Sequence, residues 1–117
     1  MPKRTSGTTR RAAAKPAPAS VSHEAWLLNH LKDPAKAAAY IEAAIEDGDQ
    51  PALMMALRHV AMAQGGISKI ARKSKLTREA TYRMLSASGN PELRSLTAIL
   101  GAAGLRLSVR PVSKRAA

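Results

Sequence analysis

The chain has 117 residues, enough for one compact domain with a tail and too few for a two-domain enzyme with a deep cleft. Lysine and arginine number 19 against 8 acidic residues, and the net charge of +11 indicates a polyanionic partner. Cysteine is absent, and the three histidines lack the spacing of a metal-binding motif, so we expect neither a metal site nor a cofactor.

Acidic and basic residues occupy different stretches of the chain. Residues 1–22 carry five bases and no acid, and residues 67–83 carry six bases and one acid. Residues 23–66 carry six of the acids and only three bases. This segregation predicts two partners of different charge. No apolar run approaches the ~18 residues of a membrane span, so we expect a cytoplasmic protein without membrane contact.

The two ends of the chain lack the apolar side chains that a folded core needs. Residues 1–22 consist mostly of Lys, Arg, Ala, Pro, Ser and Thr, which predicts a disordered basic tail. That tail would be either a non-specific DNA clamp or a solubilising extension. Residues 113–117 are predicted to be a second disordered basic end, which leaves 23–112 as the folded domain.

Two amphipathic helices are predicted in the acidic part of the chain. The first begins at Asp33 and Pro34, a cap followed by a proline in the first turn, and stops near Gly48. The second is capped by Asp49 and ends at Gly65 and Gly66. Its apolar residues lie on more than one side, which predicts a central core helix.

Three shorter helices and one strand are predicted after the glycines. A short helix starts at Ile67, a second is capped by Thr77, and a third runs from Leu93 to Gly104. Residues 105–110 alternate between apolar and polar side chains, the period of a strand. A single strand is unstable alone, so it would pack on the helices or pair with its copy in a second subunit. The predicted fold is all-α, with about five helices and one short C-terminal strand.

The two helices within residues 67–86 have the lengths and spacing of a helix-turn-helix. Six bases fall within this unit. We expect Ala80, Met84 and Leu85 to face the core, which leaves arginine, glutamate and tyrosine side chains outward for bases and phosphates. Each of these side chains could instead belong to an ordinary solvated helix face. The candidate DNA contacts are Ser68, Lys69, Lys73, Thr77, Arg78, Glu79, Tyr82, Arg83 and Asn90.

The chain resembles a known family on two stretches, LKDPAKAAAYIEAAIEDGD and ALRHVAMAQGGISKIARKSKLTREATYRMLSASGNPELRSLTAILGAAGLRL. The most specific part is LTREATYRMLSASGNP. It is similar to the lambda-repressor-like (XRE/Cro-type) antitoxins called addiction-module antidote proteins, which are related to the HigA type. The resemblance covers about residues 30–107. It implies one helical domain, dimeric operator binding, neutralisation of a RelE/ParE-like toxin and a recognition helix at 77–86. Lys75 departs from the glycine that is usual in the turn, which would strain the backbone if a left-handed conformation is required.

Toxins of the implied kind are basic, so the acids on the first two predicted helices are a candidate contact surface. These acids could equally be a solvated helix flank. They are Glu42, Glu46, Asp47 and Asp49.

The sequence thus predicts a non-enzymatic antitoxin that binds its operator as a homodimer and represses its own operon. A stand-alone helix-turn-helix repressor and a non-specific nucleoid-type DNA-binding protein are the alternatives. An enzyme is the least favoured class, because no catalytic set of residues can be assembled.

Overall fold

The computed structural model describes residues 18–112. The predicted disordered end at 113–117 and the first 17 residues of the predicted disordered tail 1–22 lie outside this range. Within it the chain forms helices and no strand. The helices are α1 Pro18–His30, α2 Pro34–Asp47, α3 Gln50–Ala63, α4 Ile67–Ser74, α5 Arg78–Met84 and α6 Leu93–Ala102. None of them has the length and apolarity that crossing a membrane requires.

Helix α3 is the centre of the fold, as its apolar pattern predicted. The Asp49 carboxylate accepts a hydrogen bond from the Ala52 amide at 3.2 Å and caps its first turn. Met54, Leu57 and Val60 are buried along it. Helices α1, α2 and α4 all pack against α3, and α4 in turn packs against α5 and α6. The central helix therefore connects the acidic half of the domain to the basic half.

Helix α1 is a sixth helix that the sequence did not predict. It begins at Pro18 and so includes the last five residues of the segment 1–22. Leu27 packs against the core, and Leu31, just after the helix, is completely buried. These two apolar contacts fix a helix whose own composition is only weakly amphipathic. Proline is compatible with its first turn, because the amide that proline lacks has no partner there.

The predicted strand at 105–110 is absent from the structure. The chain turns at Gly104, where the Leu105 amide donates to the Leu100 carbonyl at 2.8 Å, and residues 105–112 then have no regular secondary structure. The reason is that a strand needs a hydrogen-bonded neighbour, and no other part of residues 18–112 is extended beside it. One ion pair, Arg110 to Glu42 at 3.0 Å, holds this segment near α2.

A polar contact joins α2 to α3. The Tyr40 hydroxyl and Nδ1 of His59 share a hydrogen bond at 2.8 Å. Burial raises the pKa of Tyr40 and lowers the pKa of His59, so both groups favour their uncharged forms. A hydrogen bond between two uncharged groups suits this partly buried position.

Lys75 ends α4 in the left-handed conformation, with φ 61° and ψ 38°. It is the only residue other than glycine with positive φ in the described part of the chain. The Leu76 amide donates to the Ala71 carbonyl at 2.9 Å and the Lys75 amide to the Arg72 carbonyl at 3.2 Å, the pattern of a Schellman turn. The turn therefore adopts the geometry that favours glycine, although lysine occupies it.

Lys75→Gly should raise the free energy of unfolding by about 1 kcal/mol, because it removes the Cβ that makes left-handed backbone unfavourable. Lys75→Ala is the matched control, since it removes the same charge and keeps the Cβ. Thermal unfolding of the two variants measures the difference, expected as a melting temperature about 4–8 °C higher for the glycine variant. Equal stability of the two would contradict strain at this position.

Candidate nucleic-acid interface

Six exposed bases lie on α4, α5 and the turn between them, and are called the basic surface here. All six side chains are solvent-exposed. Within residues 18–112 the ion pair of Arg110 with Glu42 is the only one formed, so none of these six is neutralised by a carboxylate. The surface thus offers a concentrated positive charge to an anionic ligand. This basic surface consists of Lys69, Arg72, Lys73, Lys75, Arg78 and Arg83.

Helix α4 is held by its apolar side and by one hydroxyl. Ile67, Ile70 and Ala71 are buried against the core. The Ser74 hydroxyl donates to the Ile70 carbonyl at 2.7 Å and lies 3.3 Å from the Ala98 carbonyl of α6. Ser68 and Lys69 in the first turn and Lys73 in the last remain exposed.

Helix α5 is capped and anchored by threonines. The Thr77 hydroxyl oxygen accepts from the Ala80 amide at 3.0 Å and closes the first turn. Thr81 is completely buried, and its hydroxyl donates to the Thr77 carbonyl at 2.8 Å.

The core face of α5 differs in part from the prediction. Leu85 is buried and Met84 is partly buried, as expected, whereas Ala80 is only half-buried and Thr81 takes the most enclosed position. The reason is that α5 is rotated so that positions 81 and 85, four residues apart, meet the core. A small side chain at 81 lets the helix lie close to its neighbours.

The opposite face of α5 presents four exposed polar side chains, Arg78, Glu79, Tyr82 and Arg83. The Arg78 guanidinium carbon lies 5.1 Å from the centroid of the Tyr82 ring, a cation–π contact along one face of the helix. This contact limits the positions that the guanidinium group samples. The structure therefore brings together the four residues predicted for base contacts on one solvent-facing surface.

Asn90 lies in the loop after α5, next to the end of that helix. It is exposed and borders a shallow depression together with Arg83, Ser86 and Ser88. Gly89 is buried, and a Cβ there would collide with the Met84 carbonyl, so the loop folds back closely on the helix. The two serines were not predicted as site residues, although their hydroxyls share this depression.

Two residues of α3 contact the end of α5 and the loop after it, and sequence reasoning missed both. Arg58 donates to the Leu85 carbonyl at 2.9 Å, and Gln50 donates to the Gly89 carbonyl at 3.2 Å. Each satisfies a carbonyl in the segment that follows the basic surface. An arginine inside a helix as apolar as α3 is unusual, and this could have indicated the role of Arg58 from the sequence.

The four candidate acids differ in what they contact. All are exposed, but Glu42 is paired with Arg110, and Asp49 caps α3. Glu46 and Asp47, at the end of α2, make no ion pair within residues 18–112. Only these two acids are therefore fully available to a partner.

A family model described as "Probable addiction module antidote protein" matches residues 24–111, three quarters of the chain. The matched range starts inside α1 and includes the whole basic surface. No curated protein and no solved structure matches the chain.

Proposed function

Because the chain belongs to the family of probable addiction module antidote proteins, which confirms the resemblance read from its sequence, we propose that it is a DNA-binding antitoxin that represses its own operon. An antidote implies a toxin as partner. The observation that carries the DNA-binding part is the basic surface, six exposed bases on α4, α5 and the turn between them that have no ion-pair partner within residues 18–112. Such a charge pattern on paired short helices is typical of a nucleic-acid-binding domain.

In this proposal α4 and α5 act as a helix-turn-helix, with α4 as the bracing helix and α5 in the major groove. The outward residues of α5 read base edges: arginine pairs with guanine through two hydrogen bonds, and Glu79 accepts from cytosine N4 or orients an arginine. Tyr82 contacts a phosphate or a thymine methyl group. The remaining candidates hold the phosphate backbone and fix the register. They are Ser68, Lys69, Lys73, Thr77 and Asn90.

The antitoxin is proposed to act as a homodimer without a cofactor or an enzymatic activity of its own. A two-fold dimer places two copies of α5 about 34 Å apart, one turn of B-DNA, and so predicts an operator with two inverted half-sites. The five bases of residues 1–17, which precede α1, would add non-specific contacts to the phosphate backbone.

The proposal is tested by titrating the purified protein against its own promoter and a scrambled duplex at physiological salt, with and without the toxin. We expect promoter binding at least about a thousandfold tighter than binding to the scrambled duplex, together with a stable toxin complex. Equal binding to both duplexes would indicate a nucleoid-type protein instead. Specific binding without any toxin complex would indicate a stand-alone repressor.

For the toxin, we propose a basic RelE/ParE-like protein that meets the acids of α2. Glu46→Gln combined with Asp47→Asn should slow association with the toxin about tenfold at low salt, because opposite surface charges raise the encounter rate. These two acids give the cleanest test, since Glu42 and Asp49 already have structural partners. Stopped-flow or surface-binding kinetics measure the rate.

The matched control is Glu79→Gln combined with Glu92→Gln, which removes two exposed acids elsewhere and changes the net charge equally. We expect a much smaller change in the association rate. If both pairs of substitutions slow association to the same extent, only the net charge matters, and the proposed toxin surface is wrong.

A further inference from the structure

Residues 106–112 form an open backbone edge. None of their amides and carbonyls makes a hydrogen bond with another backbone group of residues 18–112. The segment has no regular secondary structure, yet its side chains alternate between apolar and polar types up to Arg110. An alternating, unpaired segment is the arrangement to which another strand can add.

The same segment exposes apolar side chains. Leu107 is 43% exposed and Val109 is 98% exposed. The ion pair of Arg110 with Glu42 holds the segment beside α2, and Ile45, one helical turn from Glu42, is 53% exposed. A strand pair needs an apolar surface on which to pack, and α2 offers one at this position.

We propose that residues 105–109 pair antiparallel with the same residues of a second copy of this chain, across a two-fold axis at Leu107. In this register Leu107 lies opposite its copy, Leu105 lies opposite Val109, and Arg106 lies opposite Ser108. Every apolar residue then faces an apolar residue, and no base faces a base. The inference rests on the homodimer of the proposed function and supplies its interface.

Other registers of the same pairing are less favourable. A two-fold axis at Ser108 places Arg106 directly opposite Arg110, and opposed like charges are destabilising. An axis at Val109 brings in Pro111, which lacks the amide that the ladder requires. An axis between two residues places apolar side chains opposite polar ones.

Charge also favours a second copy over the toxin at this edge. A basic toxin strand would approach Arg106 and Arg110 with the same sign of charge, whereas the self-pairing places serine opposite Arg106 and leaves Arg110 with Glu42. Glu46 and Asp47, the two acids of α2 without an ion pair within residues 18–112, lie at the end of that helix and are not part of the segment 105–109.

Single-cysteine crosslinking tests the register, because the chain contains no cysteine of its own. A disulfide requires Cα atoms about 4.4–6.8 Å apart, which directly opposed residues of an antiparallel pair satisfy. Diagonal neighbours, about 7–8 Å apart, fall outside this range. Leu107→Cys should therefore crosslink most of the protein into dimers under mild oxidation, whereas Arg106→Cys and Ser108→Cys should leave most of it uncrosslinked.

Light scattering of the full chain completes the test. The wild type should have about twice the 12.4 kDa mass of one chain, and Leu107→Lys combined with Val109→Lys should reduce it to that of one chain. Circular dichroism checks that the double variant keeps its helices, as expected for exposed positions. Three results would overturn the proposal. The first is a monomeric wild type, and the second is a dimer in which Ser108→Cys crosslinks as well as Leu107→Cys. The third is a Leu107→Cys variant that crosslinks only to the toxin. Promoter titration of the wild type reports separately whether the DNA-binding function holds.

Discussion

Ile70→Ala is expected to lower the free energy of unfolding by about 3–4 kcal/mol. Ile70 is completely buried on α4 and belongs to the core cluster that joins α3, α4 and α6. The substitution removes apolar atoms from water-excluded surroundings and leaves a cavity that the helices fill only in part. Domains of this size have total stabilities of about 5–15 kcal/mol, so one such change removes a large share of the total.

Ile45→Ala is the matched control for this prediction. It deletes the same atoms at a position that is half-exposed, and surface substitutions usually change stability by less than about 0.5 kcal/mol. Urea denaturation followed by circular dichroism, at a concentration where both variants have the same oligomeric state, measures the two losses. If both variants lose the same stability, α4 is not seated in the core as the structure places it.

The helices with strong local signals were predictable from the sequence. Asp33 and Asp49 cap α2 and α3 as expected, since each carboxylate accepts a hydrogen bond from a backbone amide in the first turn of its helix. The glycine at 48 also ends α2 as predicted, in the left-handed conformation. Caps and helix ends depend on residues nearby in the chain, so they can be predicted without knowledge of the tertiary fold.

Features that depend on distant residues were not predictable in the same way. Helix α1 is fixed by Leu27 and Leu31 packing on the core, and residues 105–110 lack a strand because no neighbour lies beside them. In each case the local pattern allows more than one outcome. Contacts between elements then decide which one forms.

The candidate site likewise has features that the sequence predicted and features that it did not. Charge segregation and helix spacing located the outward side chains Arg78, Tyr82 and Arg83, which all lie on one exposed face. The sequence could not show that Arg58 binds the Leu85 carbonyl at the end of α5, 27 residues later in the chain. Nor could it show that Gln50 binds the Gly89 carbonyl in the loop after α5, 39 residues later. Nor could it show the rotation that buries Thr81 rather than Ala80, since this depends on how α5 meets α3 and α4.

Arg78→Ala should weaken operator binding by about 1–3 kcal/mol, roughly fivefold to 150-fold in the dissociation constant, and relax the preference at one base position. Lys73→Ala should weaken binding to operator and random DNA alike, because a lysine that contacts phosphate carries no sequence information. It should also reduce the slope of log affinity against log salt by about one. Both side chains are exposed, so neither change is expected to alter folding.

Arg78→Lys separates charge from geometry at the same position. It keeps the positive charge but cannot form the paired hydrogen bonds that a guanidinium group makes with guanine, so most of the specificity should be lost while non-specific affinity is retained. Quantitative titrations against the operator, single-base variants of it and a random duplex distinguish these outcomes. Equal losses on all duplexes for Arg78→Ala and Lys73→Ala would mean that α5 does not read bases. The basic surface would then hold DNA through its charge alone.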